Sequence, residues 1–249
     1  VVASATAISQ KTVDREAFVS VSHTLERDQS IDLDELLGQW RRMGYQLEPG
    51  VSGPGQVSRR GGILDIYPVD ALYPARIELW GSEIESIRLF DPETQRSTET
   101  IDSITVTPAR ETLSGLTERD DIDRQLSAVD VSNCTAAAQE RLIEEFSLLR
   151  DGYEVEDLDF YAGFFNRGCL LDYFPDGALL VQYRPSEIAE AAWDAEERAN
   201  ELREVKERRG DLPLHFQSSH LPWSEVEKRA TGFARRLEVM PWGAEDLVH

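Results

Sequence analysis

The residues of this sequence that are best suited to recognition chemistry are arginines and a tryptophan within residues 56–96. They are Arg59, Arg60, Arg76 and Trp80. All of them lie in short runs in which apolar and polar residues alternate, a pattern typical of half-buried strands. Arginine and tryptophan are enriched among the residues that dominate the energy of protein–protein interfaces. Because no nucleophile, metal-binding cluster or phosphate-binding loop accompanies them in the sequence, the stretch is typical of a binding module.

Common catalytic signatures do not occur in the sequence. It contains no GxxxxGK[ST], GxSxG, HExxH or GxGxxG motif. His215 and His220 are five residues apart, which does not place two metal ligands on one helical turn, and no cysteine lies near them. Acidic residues are so frequent that a pair of carboxylates does not by itself indicate a catalytic pair. The sequence therefore predicts no catalytic residue, no metal site and no cofactor.

The overall charge argues against direct binding of nucleic acid. The 249 residues include 47 acidic and 26 basic ones, a formal net charge of −21. A nucleic-acid interface needs clustered Lys and Arg, whereas this charge favours a basic partner. Cys134 and Cys169 are far apart and form no CxxC motif, as expected for free thiols in a cytoplasmic protein. No secretory leader and no apolar run of about 20 residues is recognised.

Turn residues divide the arginine-bearing stretch into strands. The predicted strands are 56–60, 63–67, 75–80 and 83–90, with 101–107 as the last. Gly61-Gly62 between the first two is a hairpin signal. Ile84 and Ile87 are three residues apart, which breaks the alternation and predicts a β-bulge. The side of the sheet on which Arg88 lies is therefore left open.

The predicted strand 75–80 separates apolar from polar residues. One side carries Ile77 and Leu79, and the other carries Arg76, Glu78 and Trp80. A tryptophan on the polar side stays exposed unless a loop or the Arg60 side chain covers it, and that alternative remains open. A second alternative is also open, because Arg60 could pair with Asp65 across the hairpin as an ordinary surface ion pair.

Periodicity predicts the remaining elements. Helices are expected at 32–43, 135–149 and 186–209, and strands at 1–8, 18–25, 178–181 and 236–240, with 1–8 and 178–181 buried. The first helix has the clearest ends. Asp32 is its expected N-cap, Glu35 completes a capping-box-like pattern, and Gly44 is its expected terminator. This mixture of helices and strands predicts an α/β (α+β) fold class.

Three stretches of the sequence resemble a known repair family. RRGGILDIYP, ARIELWGSEIESIRLFDPETQRS and LLDYFPDGALLV resemble the N-terminal region of bacterial transcription-repair coupling factors (Mfd). That region is similar to the excision-repair helicase UvrB. The resemblance covers nearly the whole chain, strongly in 30–107, moderately in 160–190 and weakly elsewhere.

The resemblance implies a domain organisation. Residues 1–29 would be the last part of a first UvrB-like helicase-type domain. Residues 30–107 would be a small, inserted, β-rich domain that binds the damage-recognition ATPase UvrA. Residues 108–249 would be the second part of the helicase-type domain. The expected fold is thus a UvrB-like degenerate helicase half-domain with an inserted UvrA-binding domain.

The resemblance also implies site residues. By motif position, the arginines with which the family contacts UvrA fall on Arg60 and Arg76. The aromatic residue of the family falls on Trp80, where phenylalanine is more usual. With their neighbours Arg59 and Glu78, these residues form the predicted partner-binding set.

A departure from the UvrB pattern favours the coupling factors over UvrB itself. Residues 181–184 read Val-Gln-Tyr-Arg where UvrB has the acidic pair that holds nucleotide magnesium, and Tyr-Arg cannot ligate Mg²⁺. The expected function is a non-catalytic, cytoplasmic docking region in transcription-coupled nucleotide excision repair. Parts of the parent outside this chain would contact RNA polymerase and DNA and would contain an ATP-dependent translocase motor. The alternative is a nucleotide-dependent helicase of the UvrB type.

Overall fold

The computed structural model describes residues 1–117, 119–151, 153 and 155–240. Within these residues helices and three separate sheets are mixed, which confirms the predicted α+β class. The chain divides into two compact units, Arg15–Arg119 and Val1–Asp14 together with Asp120–His249. The assignment of 1–29, 30–107 and 108–249 to helicase-type and inserted domains stays a prediction.

The elements alternate irregularly along the chain. The helices are α1 (Ala5–Ser9), α2 (Arg15–Val21), α3 (Leu33–Arg42), α4 (Arg119–Ser127), α5 (Ala136–Arg150), α6 (Ala162–Phe165), α7 (Pro185–Arg209) and α8 (Trp223–Thr231). The strands are β1 (His23–Glu26), β2 (Gln46–Leu47), β3 (Gln56–Arg60), β4 (Ile63–Ile66), β5 (Ala75–Trp80), β6 (Glu83–Phe90), β7 (Ser97–Ile101), β8 (Ser103–Val106), β9 (Leu179–Tyr183) and β10 (Arg235–Val239). Short 3₁₀ turns lie at Ser114–Leu116, Leu158–Tyr161 and Leu170–Tyr173.

The unit Arg15–Arg119 is built on a six-stranded sheet of order β2-β3-β4-β5-β6-β7. Its strands are antiparallel except for the pair β2 and β3. The predicted hairpin is confirmed, and Gly61 at its tip has φ +64, a left-handed conformation that glycine adopts without strain. The predicted bulge is also confirmed, because Glu78 pairs with Ser86 whereas Leu79 pairs with Ile84.

Helix α3 covers one side of this sheet, as the amphipathic pattern predicts. Its Leu36 and Trp40, with Met43 just beyond, are buried against alternate strand residues such as Leu64 and Ile77. The helix begins where expected, since Asp32 Oδ1 accepts hydrogen bonds at 3.0 Å from the backbone N–H groups of Asp34 and Glu35, the second and third residues of the helix. The opposite side of the sheet is not covered by this helix.

Replacing Asp32 with alanine is expected to lower the free energy of unfolding by about 1 kcal/mol, because two N–H groups of the first turn lose their acceptor. Chemical denaturation followed by circular dichroism measures the change. Asp32→Asn is the matched control, since asparagine is an equally good N-cap. Equal losses in both variants would show that the cap is not what stabilises α3.

The second unit has two clusters of buried side chains. Helix α5 presents the predicted apolar face, with Leu142 and Phe146 buried beside Tyr161. The long helix α7 packs on α8 around Ala192 and Trp223. Strands β9 and β10 pair in parallel. The predicted helices 135–149 and 186–209 and the last strand are thereby confirmed.

The predicted strands near the N-terminus are partly wrong. Residues 1–8 contain helix α1 instead of a strand, because Ser4 accepts a hydrogen bond from the N–H of Ala7 and the helix packs against α7 and α8. Residues 18–25 include the end of α2 before the strand β1 begins. Packing and capping therefore override the β-branched composition of these segments.

Two further strand predictions need correction. Residues 101–107 do not form one strand: β7 ends at Ile101 and pairs with β6, whereas β8 pairs with β1. Strand 178–181 exists as β9, but it is not buried. Its Leu179 and Val181 are about half exposed, since β9 pairs only with β10 within the described residues.

Candidate protein-docking face

The side of the six-stranded sheet that faces away from α3 carries the predicted site residues. We call this surface the docking face and define it by Arg60, Asp65, Arg76, Glu78, Trp80 and Arg88. Strand register brings these residues together, because Asp65 lies opposite Arg76 in the neighbouring strand and Arg76 lies opposite Arg88. Alternation then places Glu78 and Trp80 on the same side as Arg76.

Asp65 is the centre around which two arginines are arranged. Arg76 binds it through two hydrogen bonds, Nε to Oδ1 at 2.7 Å and Nη2 to Oδ2 at 2.9 Å. Arg60 Nη2 donates to Oδ2 at 2.7 Å. The carboxylate is only 1% exposed, so both guanidinium groups are held by a buried anion. Both geometries foreseen for Arg60, a face shared with Arg76 and a pair with Asp65, therefore occur together.

Arg76 is held more firmly than Arg60. Its side chain is 16% exposed, against 53% for Arg60. Its guanidinium lies over the ring of Phe90 at 4.7 Å, and Nη1 donates to the carbonyl of Gln95. The hydrogen bonds to Asp65 are the main cause that raises the pKa of Arg76 above its ordinary value. Arg76 is therefore a fixed cation, and Arg60 is the more accessible one.

Trp80 projects from the end of β5, directly before the turn at Gly81. Its side chain is 79% exposed, whereas Trp40 on the other side of the sheet is fully buried. The alternative that a loop or Arg60 covers Trp80 is therefore wrong. An indole this exposed beside fixed cations offers a partner a large apolar contact at little cost in conformational entropy.

Glu78 connects the arginine pair to a third arginine. Its Oε2 accepts from Ser86 Oγ at 2.9 Å and lies 3.1 Å from Arg88 Nη2. Arg88 therefore belongs to the docking face, although its side could not be assigned from sequence. The bulge between β5 and β6 shifts the phase of alternation, and only the strand register resolves it.

Arg59 does not lie on the docking face. Its Nη1 contacts Asp34 of α3 at 2.7 Å, on the helix-covered side of the sheet. Successive residues of a strand point to opposite sides, so Arg59 and Arg60 cannot share one surface. The structure thus brings together four of the five predicted residues, Arg60, Arg76, Glu78 and Trp80, and separates the fifth.

In the described part of the chain, no group of three or more His, Cys, Asp or Glu side chains could hold a metal ion. Cys134 and Cys169 are buried free thiols. No helix in that part is both long and apolar enough to cross a membrane.

The docking face lies within a segment that matches a known domain family. The family model described as the UvrB interaction domain matches residues 24–111. This segment contains nearly all of β1 and every strand from β2 to β8, and thus the whole six-stranded sheet. That part of the chain is a UvrB interaction domain.

Relatives extend the match beyond this domain. The transcription-repair-coupling factor of Bacillus subtilis (strain 168) is 34% identical over 201 residues, which are 76% of this chain and 17% of the relative. That of Myxococcus xanthus is 31% identical over 218 residues, or 82% of this chain and 18% of the relative. One from Staphylococcus epidermidis (strain ATCC 12228) is 49% identical over 86 residues, 34% of this chain and 7% of the relative.

These relatives are homologues of the chain over most of its length. The chain is similar to one region of the transcription-repair-coupling factors, and this similarity supports a region of a DNA repair factor. It spans less than a fifth of the length of the curated relatives that it matches. Since the matched domain is an interaction domain, the region has a role in protein–protein interaction.

Proposed function

We propose that this chain is the region through which a transcription-coupled repair factor docks UvrA, and that the docking face is the contact surface. The observation that carries the proposal is the arrangement of Arg60 and Arg76 around the buried Asp65, with the exposed Trp80 beside them. Support comes from the membership of these residues in a UvrB interaction domain and from the resemblance of the region to UvrB.

Preorganisation is the physical reason why this arrangement suits docking. Arginine side chains have many rotamers, and ordering them on binding costs free energy. Asp65 already holds Arg76 and Arg60, so part of that cost is met when the domain folds. Arginines and aromatic residues at the centre of an interface typically contribute about 2–4 kcal/mol each when truncated. Two arginines and one indole are thus sufficient for a specific contact.

The charge of the docking face differs from that of the whole chain. The face carries three arginines and two carboxylates, a formal charge of +1, whereas the chain carries −21. A partner surface that presents acidic or carbonyl acceptors to the arginines, with an apolar recess for Trp80, would fit this face and not the surrounding acidic surface. This difference in charge between the docking face and the whole chain would orient the partner as well as add to the affinity.

We assign no catalytic step to this chain. The charged groups of the docking face are engaged with one another, and Asp65 in particular is occupied by two arginines. The segments of the parent that lie outside this chain would engage RNA polymerase and DNA and carry any ATP-dependent translocase activity. We place the parent protein in the cytoplasm.

Neighbouring arginines on opposite sides of β3 provide a matched test. Arg60→Ala is expected to weaken UvrA binding about tenfold, because the accessible cation of the docking face is lost. Arg59→Ala removes the same group from the other side and is expected to change the dissociation constant less than about twofold. Isothermal titration of each variant with UvrA measures both values.

Thermal unfolding serves as the control for this pair. Arg76 alone still satisfies Asp65 when Arg60 is removed, so both variants should unfold near the temperature of the wild type. Equal weakening by both substitutions, or weakening by Arg59→Ala alone, would contradict the assignment of the docking face.

A further inference from the structure

A cavity of about 430 Å³ lies between α1, α7 and the segment 216–223, in the unit that includes both chain ends. Its apolar wall is formed by alanines of α7 together with Phe216 and Trp223. Cavities of this volume are large enough for small organic ligands. The cavity and the docking face belong to different units of the chain.

Two basic side chains line this cavity, and a third basic residue lies beside it. Arg203 and His220 both line it. Lys11 is held next to them, since its backbone N–H donates to the carbonyl of Ser219 at 2.9 Å and its neighbour Gln10 forms a β-bridge with His220. The guanidinium of Arg203 donates to the carbonyl of Phe216, which fixes its direction.

Two of these side chains, Lys11 and Arg203, have no carboxylate within 4.0 Å among the described residues, although the chain has 47 acidic residues. Burial and the charge of Arg203 lower the pKa of Lys11, and loss of hydration and the charge of Lys11 lower that of His220. Like charges held close together repel each other, and an anion bound between them would offset this repulsion.

The one acidic side chain among the described residues of the cavity wall is hydrogen-bonded to the backbone of another wall residue. Glu196 Oε2 accepts from the backbone N–H of Trp223 at 3.0 Å, at the start of α8. Glu196 precedes Arg203 by seven residues of α7, two helical turns away. It does not appear among the charges that shift the pKa of Lys11. Arg203 and Glu196 therefore occupy different levels of the cavity wall, and the alanines of α7 form its apolar part.

The cavity wall also contains a hydrogen-bond donor without an acceptor among the described residues, the indole N–H of Trp223. Trp223 is only 6% exposed, and its Nε1–H has no acceptor within the described residues. Asn200 and Thr6, which carry polar side chains, also line the cavity. A buried donor without a partner costs free energy, and a ligand oxygen would supply the acceptor.

We infer that this cavity binds a small organic oxyanion, with the anionic group between Lys11, Arg203 and His220, the apolar body against the alanine wall, and an oxygen that accepts from the Trp223 Nε1–H. Phosphate is the group that best matches a cluster of arginine, lysine and histidine, and a carboxylate shares the same acceptor chemistry.

Three probes distinguish the contributions of the anionic group and the apolar body to binding. Phenyl phosphate carries both the anion and an apolar body, inorganic phosphate carries only the anion, and benzoate replaces phosphate by carboxylate. Isothermal titration of the chain at low salt is expected to give saturable, one-to-one binding of phenyl phosphate, with weaker binding of inorganic phosphate. Benzoate that binds more tightly than phenyl phosphate would identify a carboxylate ligand of the same site.

Substitutions of the basic residues test where the probe binds. Arg203→Gln and Lys11→Gln are each expected to weaken phenyl phosphate about tenfold or more, since each removes a charge-assisted contact. Arg198→Gln is the matched control, because Arg198 lies exposed on the same helix and does not line the cavity. It should leave the affinity unchanged.

Lys11→Gln keeps the test valid if Arg203→Gln impairs folding, because within the described residues the Lys11 side chain makes no hydrogen bond. Circular dichroism identifies a variant that has lost its fold. The absence of saturable binding for all three probes would overturn the inference. Equal weakening by Lys11→Gln and Arg198→Gln would also overturn it, since such binding would be a non-specific charge effect.

Discussion

Replacing Asp65 with alanine is expected to lower the free energy of unfolding by about 2–4 kcal/mol and to abolish measurable docking. The carboxylate is buried and holds two guanidinium groups, so its removal leaves Arg76 as a largely buried cation without a counterion. Removing one partner of a buried ion pair typically costs several kcal/mol, because the other charge stays desolvated. Denaturation in urea and titration with UvrA measure the two effects.

Asp34→Ala is the matched control for this substitution. It removes the same group from the pair between Asp34 and Arg59, in which the Asp34 side chain is 87% exposed. Exposed pairs contribute about 0–1 kcal/mol, so stability should change little and UvrA binding should be retained. If both substitutions had the same effect on stability, Asp65 would not be the organising centre of the docking face.

Replacing Trp80 with alanine is expected to weaken UvrA binding by about 2 kcal/mol or more, roughly 30-fold, while stability stays unchanged. The indole is largely exposed in the free chain, so truncation removes contact area with the partner and almost no packing within the domain. Isothermal titration measures the affinity, and thermal unfolding measures the stability. Trp80→Phe should retain most of the affinity, because an aromatic anchor remains.

Trp80 is a cleaner probe of docking than Arg76. Arg76 is one of the two counterions of Asp65, so Arg76→Ala would change stability and recognition together. A loss of binding in that variant would not distinguish a missing contact from a disturbed sheet. Tyr73 is a suitable control for Trp80, since it is an exposed aromatic residue located just before the opposite end of β5.

Local signals explain why much of the interaction domain could be predicted from the sequence. The start of α3 follows from Asp32, and the hairpin between β3 and β4 follows from Gly61-Gly62. In each case the residue that fixes the backbone lies within a few positions of the element that it starts or ends. The exposed position of Trp80 follows in the same way from strict alternation along β5.

Features that depend on strand pairing were only partly predictable. The sequence suggests a pair between Arg60 and Asp65, but the second arginine on Asp65 appears only when β4 and β5 are placed in register. Arg59 is a different case. Alternation alone separates it from Arg60, and the prediction grouped them because it followed closeness in sequence instead of the period of the strand.

Packing between distant segments explains the wrong elements. Residues 1–8 have a composition that favours a strand, but α1 packs against α7, more than 170 positions away along the chain. The cavity has the same origin, because Lys11, Arg203 and His220 belong to three separate segments. Neither feature has a local signal, so neither could be found from sequence periodicity.

The affinity of UvrA for the Trp80→Ala variant, relative to the wild-type chain, tests most directly whether the docking face is the contact surface. Isothermal titration should be carried out with both chains, with Tyr73→Ala as the control for loss of an exposed aromatic ring. We expect a loss of about 30-fold or more for Trp80→Ala and a change below about twofold for Tyr73→Ala. Wild-type affinity in a folded Trp80→Ala chain would contradict the proposed docking face.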